Sequence, residues 1–179
     1  QPNSNQKGPF CNNANSSIRR DLWKSIPYNE NLTGLEDIEW AKRALSRGHK
    51  IEYAAQAEVI HSHDESPGQI YNRYKREAIA LKRIFPEENF NLPDFVKLSL
   101  SNITSDFQAA SGQRLLSKHL IGIPVFRTMQ FWGTFRGFSN HKPVTSDLKR
   151  KFYYPQTKTN GVQGECPPET GTDQPANYR

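Results

Sequence analysis

Two adjacent carboxylates, Glu36 and Asp37, are the side chains of this sequence best suited to acid–base chemistry. They stand at the start of a segment in which apolar residues recur at helical spacing, so they are predicted to lie in the first turn of a helix. Backbone N–H groups and the positive end of the helix dipole favour an ionised carboxylate at such a position. An ionised, oriented carboxylate can act as a general base toward a hydroxyl group. The alternative is that both residues only stabilise the helix start.

A second group with chemical potential is the run His61-Ser62-His63-Asp64, which follows a predicted strand that ends at His61. The two imidazoles share one face only if the strand stays regular through Ser62. One imidazole together with carboxylates and a diphosphate would suit Mn²⁺ or Mg²⁺. A hydrogen-bonded histidine at the end of a strand is the alternative.

The helix that carries the two carboxylates is predicted to start at Thr33 and to end at Gly48. Thr33 and Glu36 have the spacing of a capping box, in which the hydroxyl accepts the backbone N–H three residues on and the glutamate reaches back. Gly48 supplies the left-handed residue that often follows a helix. A short helical turn is predicted before it, from Asp21 to Ile26.

Beyond this helix the sequence predicts two strands and then helices. The strands are residues 51–54 and 58–61, with a turn between them. A Ser66–Gln69 capping pair, with proline at the first helical position, indicates the next helix start. Further helical segments run from Pro93 to about Ala110 and from Gln113 to Phe138, the latter interrupted by Gly122 and Pro124.

Three segments, read in order and spacing, resemble the family 2 inverting glycosyltransferases. They are NNANSSIRRDLW at residues 12–23, LTGLEDIEWAKRALSRG at 32–48 and AEVIHSH at 57–63. In that family an Asn-containing loop and a short helix precede a Glu-Asp motif. A helix and two strands follow, and the last strand ends in histidine. The resemblance covers Phe10 to about Phe85.

The resemblance implies roles for individual residues. Asp37 corresponds to the catalytic base, and Glu36 lies beside it at the acceptor site. His61 corresponds to the histidine that helps to hold a divalent metal, Mn²⁺ or Mg²⁺, on the donor diphosphate. Three further residues are implied to bind the acceptor: Asn15, Arg19 and Trp40.

The fold class implied by the resemblance is α/β, as the C-terminal half of a GT-A (Rossmann-like) domain followed by an α-helical extension. No Asp-x-Asp motif occurs upstream of Glu36, so the isolated chain is expected not to transfer sugar. The implied organisation is a polar N-terminal stub (1–9), a partial catalytic domain on the acceptor side (10–90), a helical extension (91–154) and a disordered tail (155–179).

The function implied by the resemblance is sugar transfer, with inversion, from a nucleotide-sugar donor to a saccharide or lipid-linked saccharide. Polysaccharide or cell-surface glycan synthesis is the implied process, in the cytoplasm. The segment Phe126–Phe138 interleaves aromatic residues with Arg127 and Arg136, which suits a helix resting peripherally on the inner face of the membrane. A plain amphipathic packing helix is the alternative.

The net charge of +6 leaves a second class of function open, a non-enzymatic nucleic-acid-binding module. Its cations would be Arg73, Lys75, Arg76, Lys82, Arg83 and the run Lys149-Arg150-Lys151. A basic helix face is usually only a solvated face, and no recognised nucleic-acid motif is present. Nucleic acid is therefore not an expected partner. The two cysteines, Cys11 and Cys166, lie at opposite ends of the chain and are not expected to form a disulfide.

Overall fold

A computed structural model describes residues 6, 8–60, 64–140, 145 and 148 of the chain. Between residues 8 and 140 the regular structure is helical. In chain order it comprises a 3₁₀ turn (Asn13–Asn15), α1 (Arg20–Ser25), α2 (Glu36–Ser46), α3 (Pro67–Ile84), α4 (Leu92–Gly112), α5 (Leu116–His119) and α6 (Gly122–Phe138).

The α/β expectation, with its Rossmann-like GT-A half, is wrong for the part of the chain that the structure describes. Residues 51–60 were expected to contain two strands, but they form irregular chain in which Tyr53 makes only a single bridge. The side chains of Val59 and Ile60 are 55% and 102% exposed. A short strand is stabilised by neighbouring strands and by burial of one face, and this segment has neither among the described residues. His61 lies outside the described residues.

The start of α2 is predicted correctly in position and wrongly in its cap. Glu36 and Asp37 occupy the first turn, as expected, but the preceding residue is Leu35, in a left-handed conformation (φ 56°) and without a side-chain capping bond. Thr33 is fully buried, and its hydroxyl donates to the backbone oxygen of Arg76 in α3 at 2.9 Å. The capping box is absent because the Thr33 hydroxyl is used in this tertiary contact.

We expect the Thr33→Val substitution to lower the free energy of unfolding by about 1 kcal/mol, because it removes the hydrogen bond that links the turn before α2 to α3 while keeping the side-chain shape. Thr104→Val in α4 is the matched control. Its hydroxyl is exposed and bonds only to carbonyls of its own helix, so its replacement should change stability by less than about 0.5 kcal/mol. Urea unfolding of both variants checks this. Equal stability of the two would show that the Thr33 bond contributes nothing net.

The later helix starts follow from local sequence. Ser66 and Gln69 form the expected capping box at α3, with proline in the first turn. Asn91 and Asp94 form a second capping box at α4, which begins at Leu92. The segment from Gln113 to Phe138, predicted to be interrupted at Gly122 and Pro124, is instead divided before Gly122, into α5 and an α6 that contains both of these residues. Pro124 lies in the first turn of α6, where the missing N–H group costs no helical hydrogen bond.

A small hydrophobic core holds α2 against the N-terminal segments. Its buried residues are Ile26, Trp40, Ala41 and Ala44. The indole Nε1 of Trp40 donates to the backbone oxygen of Ile26 at 2.6 Å, which satisfies the buried N–H group. This core fixes the direction of α2 and therefore of the carboxylates in its first turn.

A second packing unit consists of α3, α4 and α6, with α6 in contact with both of the other helices. Gly133 and Gly137 of α6 allow close approach to α3. A Cβ atom at Gly133 would lie 2.5 Å from the backbone oxygen of Tyr71, and one at Gly137 would lie 2.5 Å from the Cβ atom of Ala78. The α3–α6 contact therefore depends on the absence of side chains at these two positions.

The aromatic residues of α6 pack within the chain. Phe131 stacks on Phe90 with ring centroids 6.3 Å apart, and Trp132 meets Phe95 at 5.4 Å. Arg127, near the start of α6, pairs with Asp106 in the second half of α4, whereas Trp132 meets Phe95 near the start of α4, so the two helices run antiparallel as a helical hairpin. These contacts favour the alternative that the segment Phe126–Phe138 is a helix packed within the chain. Among the described residues, no helix is long and apolar enough to cross a bilayer.

Candidate functional site

Asn13 holds both carboxylates at the start of α2. Its backbone N–H donates to Oδ2 of Asp37 at 3.1 Å, and its side-chain Nδ2 donates to Oε1 of Glu36 at 3.2 Å. The hydroxyl of Tyr28 donates to Oδ1 of Asn13 at 2.9 Å, which fixes the orientation of the amide. The family resemblance implied an Asn-containing loop here, but nothing in the sequence indicated that Asn13 is the residue that contacts the acid pair.

Asp37 keeps acceptor capacity despite these bonds. Its Oδ2 accepts from Asn13, and its Oδ1 accepts from the backbone N–H of Ile38 at 2.8 Å. A carboxylate oxygen has two lone pairs, so each oxygen retains one for a further donor. The side chain is half-buried, which leaves it both oriented and accessible.

The carboxylates face a pocket of about 430 Å³ between the start of α2, the chain before the 3₁₀ turn and one face of α3. The lining residues are Phe10, Cys11, Asn12, Gly34, Leu35, Glu36, Asp37, Ile38, Arg73, Arg76 and Glu77. The pocket therefore combines acidic groups on α2 with both acidic and basic groups on α3. Sequence reasoning assigned Arg73 and Arg76 only to a basic helix face.

Arg73 is held in place from outside the pocket. Its guanidinium forms a two-pronged ion pair with Glu65, with Nη2–Oε2 and Nε–Oε1 distances of 2.7 and 3.0 Å. Both partners are largely buried. Burial raises the pKa of the neighbouring Glu77 carboxyl, and the charges of Arg73 and Arg76 oppose that increase. The α3 wall of the pocket thus carries charged side chains that influence one another electrostatically.

Arg76 lies close to the backbone that leads into α2. Its Nε atom is 3.4 Å from the place where a Cβ atom of Gly34 would stand. A Cβ atom at position 34 would therefore be in van der Waals contact with this guanidinium. The guanidinium of Arg76 therefore lies beside the turn that precedes Glu36.

Cys11 lines the same pocket and responds to its charge. Burial raises the pKa of the Cys11 thiol, and the negative charge of Asp37 raises it further. A nearby anion disfavours the thiolate, which is the reactive form.

The Asp37→Asn substitution should therefore lower the pKa of the Cys11 thiol and accelerate its alkylation by iodoacetamide near pH 8 by roughly twofold or more. The experiment uses a Cys166→Ser background so that only Cys11 reacts. Glu36→Gln is the control, because Glu36 is not among the groups that shift this thiol, and its rate should stay near that of the parent chain. An unchanged rate in the Asp37→Asn chain would contradict the electrostatic contact.

The three residues predicted to bind the acceptor lie elsewhere. Trp40 is in the hydrophobic core. Asn15 donates from Nδ2 to the backbone oxygen of Ala57 and so ties the 3₁₀ turn to residues 51–60. Arg19 pairs with Asp21 at the surface, and its hydrogen bond lowers the pKa of Asp21 to about 2. None of the three lines the pocket, and their role toward an acceptor stays a prediction.

The described residues do not supply a metal site by themselves. Across residues 8–60 and 64–140, no group of three or more His, Cys, Asp or Glu side chains is arranged to hold an ion. His61, the predicted ligand, is outside these ranges. The Mn²⁺ or Mg²⁺ ion stays a prediction, and the chemistry below is derived without it.

The chain is similar to O-antigen chain rhamnosyltransferases. Over 69 residues it is 35% identical to WbaN of Salmonella anatum, and the match covers 38% of this chain and 22% of that protein. It is 30% identical over 69 residues to RfbN of Salmonella typhimurium strain LT2, with the same two shares. The match thus spans about a fifth of the length of each relative. No protein-family model matches the chain, and no solved structure matches it significantly.

Proposed function

We propose that this chain is part of a glycosyltransferase of polysaccharide synthesis and that Asp37 is its catalytic base. The observation that carries the proposal is the oriented pair Glu36–Asp37, held by Asn13 at the edge of a pocket of about 430 Å³. The similarity to O-antigen chain rhamnosyltransferases supports the same class of reaction. The resemblance of the Glu-Asp segment to family 2 enzymes supports inversion.

The proposed chemistry is a single displacement. Asp37 takes the proton of an acceptor hydroxyl, and the resulting oxygen attacks the anomeric carbon of a nucleotide-sugar. The bond from that carbon to the nucleoside diphosphate breaks on the opposite side, so the configuration inverts. Arg73 and Arg76 supply positive charge in the pocket, which suits an anionic substrate such as a diphosphate.

The remaining parts of the proposal come from the resemblance and the relatives. The acceptor is a saccharide or lipid-linked saccharide, and the donor sugar suggested by the relatives' names is rhamnose. A divalent metal ion and a cytoplasmic location belong to the proposal through the family resemblance.

The direct test is sugar transfer by the complete natural polypeptide. Nucleotide-activated rhamnose and other nucleotide-sugars are offered with saccharide and lipid-linked acceptors, and release of nucleoside diphosphate is followed together with the anomeric configuration of the product. Transfer with inversion is expected. A folded polypeptide that neither binds nor transfers nucleotide-sugar would refute the proposal. Transfer with retention of the anomeric configuration would refute a single displacement by a hydroxyl that Asp37 has deprotonated.

Arg76→Gln in the complete polypeptide is expected to raise KM for the nucleotide-sugar about tenfold, because one charge-assisted contact to an anionic group is lost. Arg83→Gln is the matched control, since Arg83 lies on the same helix, is exposed and does not line the pocket. Its KM should stay unchanged. An equal effect of both substitutions would mean that the positive charge acts at long range and that Arg76 makes no specific contact.

The alternative of a nucleic-acid-binding module gains no support from the described cations. Arg73 is paired with Glu65, and Lys82 donates to the backbone oxygens of Pro86 and Glu88 at 3.1 and 2.8 Å. Arg76 lines the pocket. Two of the five helix cations are thus paired within the chain, and a third faces the pocket.

A further inference from the structure

The tip of the α4–α6 hairpin exposes apolar side chains. This tip is defined as residues 114–121, between the end of α4 and the start of α6, and it includes α5. Leu115, Leu120 and Ile121 are 41%, 54% and 77% exposed. Exposed apolar residues scattered singly are normal on a protein surface, but three of them within seven residues of one short connection form a local patch.

The tip is also positively charged. Arg114 and Lys118 are exposed and lie next to the apolar side chains. No acidic residue occurs in the sequence between Asp106 and Asp147, so the tip itself and the chain next to it carry no carboxylate side chain. The hairpin tip therefore presents apolar and cationic groups together.

An ion pair joins the two helices of the hairpin behind the tip. Asp106 of α4 and Arg127 of α6 form a two-pronged ion pair, with Oδ–N distances of 2.7 and 3.0 Å. Arg127 also donates to Oε1 of Gln130 at 2.9 Å. These bonds clamp the two helices just behind the tip. The apolar groups are thus displayed at the end of two paired helices, and none of the described contacts covers them.

We propose that the hairpin tip docks on an anionic lipid surface. Leucine and isoleucine side chains at such a tip can enter the boundary between headgroups and acyl chains. Cations beside them are attracted to anionic headgroups. The charge complementarity favours an anionic lipid surface over a neutral one, and the exposed apolar groups favour a bilayer over nucleic acid, which would need only the cations.

This location differs from the one expected from the sequence. The aromatic segment Phe126–Phe138 was expected to contact the membrane, but Phe131 and Trp132 are in contact with Phe90 and Phe95 within the chain. The tip lies just before that segment. It is independent of the pocket and of the proposed sugar transfer.

A second exposed apolar stripe provides the matched control. Val96 and Leu100 of α4 are 47% and 60% exposed and lie one helical turn apart. Asp94 and Lys97 accompany them, so the charge around this stripe is mixed. A stripe of equal apolar character without excess positive charge should contribute little to binding an anionic surface.

The test is co-sedimentation of the 179-residue chain with phosphatidylcholine vesicles made with and without phosphatidylglycerol. Binding is expected only with phosphatidylglycerol and should weaken in high salt. The double variant Leu120→Ser/Ile121→Ser should bind at least about tenfold more weakly, and Lys118→Glu should also weaken binding. The double variant Val96→Ser/Leu100→Ser should bind as the parent does. Far-ultraviolet circular dichroism confirms that all variants remain folded.

Three outcomes would overturn the proposal. Unchanged binding by Leu120→Ser/Ile121→Ser would exclude the tip. Loss of binding in Val96→Ser/Leu100→Ser alone would assign the surface to the α4 stripe. Self-association in gel filtration that the tip substitutions abolish, with no binding to vesicles, would show that the tip contacts a second copy of the chain.

Discussion

The Asp37→Asn enzyme is expected to turn over about 10²–10⁴-fold more slowly than the parent, with donor binding preserved. Asparagine keeps the size of the side chain and one acceptor oxygen, so the contact with Asn13 or Ile38 can persist. It cannot take a proton from the acceptor hydroxyl. If Asp37 only stabilised the start of α2, the substitution would cost at most about 1 kcal/mol of stability and leave turnover nearly intact.

The measurement is kcat in the complete polypeptide, together with the free energy of unfolding and the affinity for nucleotide-sugar. Glu36→Gln is the neighbouring control, because its amide oxygen can still accept from Nδ2 of Asn13. We expect the Glu36 substitution to be the milder of the two. Near-normal kcat in the Asp37→Asn enzyme would remove Asp37 as the base, while sugar transfer itself could still stand as the function.

The Gly133→Ala substitution is expected to lower the free energy of unfolding by about 1–3 kcal/mol or more. The added Cβ atom would lie 2.5 Å from the backbone oxygen of Tyr71, and a backbone atom cannot rotate away as a flexible side chain can. α3 and α6 must separate to make room, which loses packing along their whole contact.

Gly122→Ala tests the same substitution without the contact. Gly122 is also in α6, but a Cβ atom there would have no other atom within 4 Å. Its replacement should be neutral or slightly stabilising, since alanine is the better helix former by up to about 1 kcal/mol. Urea unfolding of the two variants decides the question. Equal midpoints would show that the α3–α6 backbones are not in close contact.

The helix starts were predictable because their determinants are local. Ser66 and Gln69 lie three positions apart and satisfy each other's backbone groups, and Pro67 between them needs no hydrogen bond, so no distant residue is needed to form that cap. The first turn of α2 was found for a similar reason, from apolar spacing after Glu36 and Asp37. The local sequence around Thr33 could not reveal that its hydroxyl donates to a backbone carbonyl in α3. This hydrogen bond replaces the expected helix cap.

The strands and the α3 wall of the pocket could not be derived in the same way. A pattern of alternating residues becomes a strand only if a partner pairs with it, and residues 51–60 have no strand partner among the described residues. Arg73 and Arg76 looked like part of a solvated helix face, and only the packing of α3 turns them toward the acid pair. Trp40 was expected near an acceptor but lies in the hydrophobic core. It is on the same face of α2 as the buried residues Ala41 and Ala44.

Helix α3 belongs to two contacts at once. Arg73, Arg76 and Glu77 face the pocket, whereas Tyr71, Lys75 and Ala78 meet the glycines of α6 on the opposite side. Thermodynamic linkage follows from this shared element: a ligand that binds the ordered pocket also favours the docked state of α3 and α6. Part of the binding free energy then stabilises the hairpin in its docked position. Conversely, local opening of the hairpin reduces the fraction of molecules competent to bind the ligand. A higher fraction of pockets with bound ligand would therefore be accompanied by a higher fraction of molecules in which the C-terminal end of α6 is ordered.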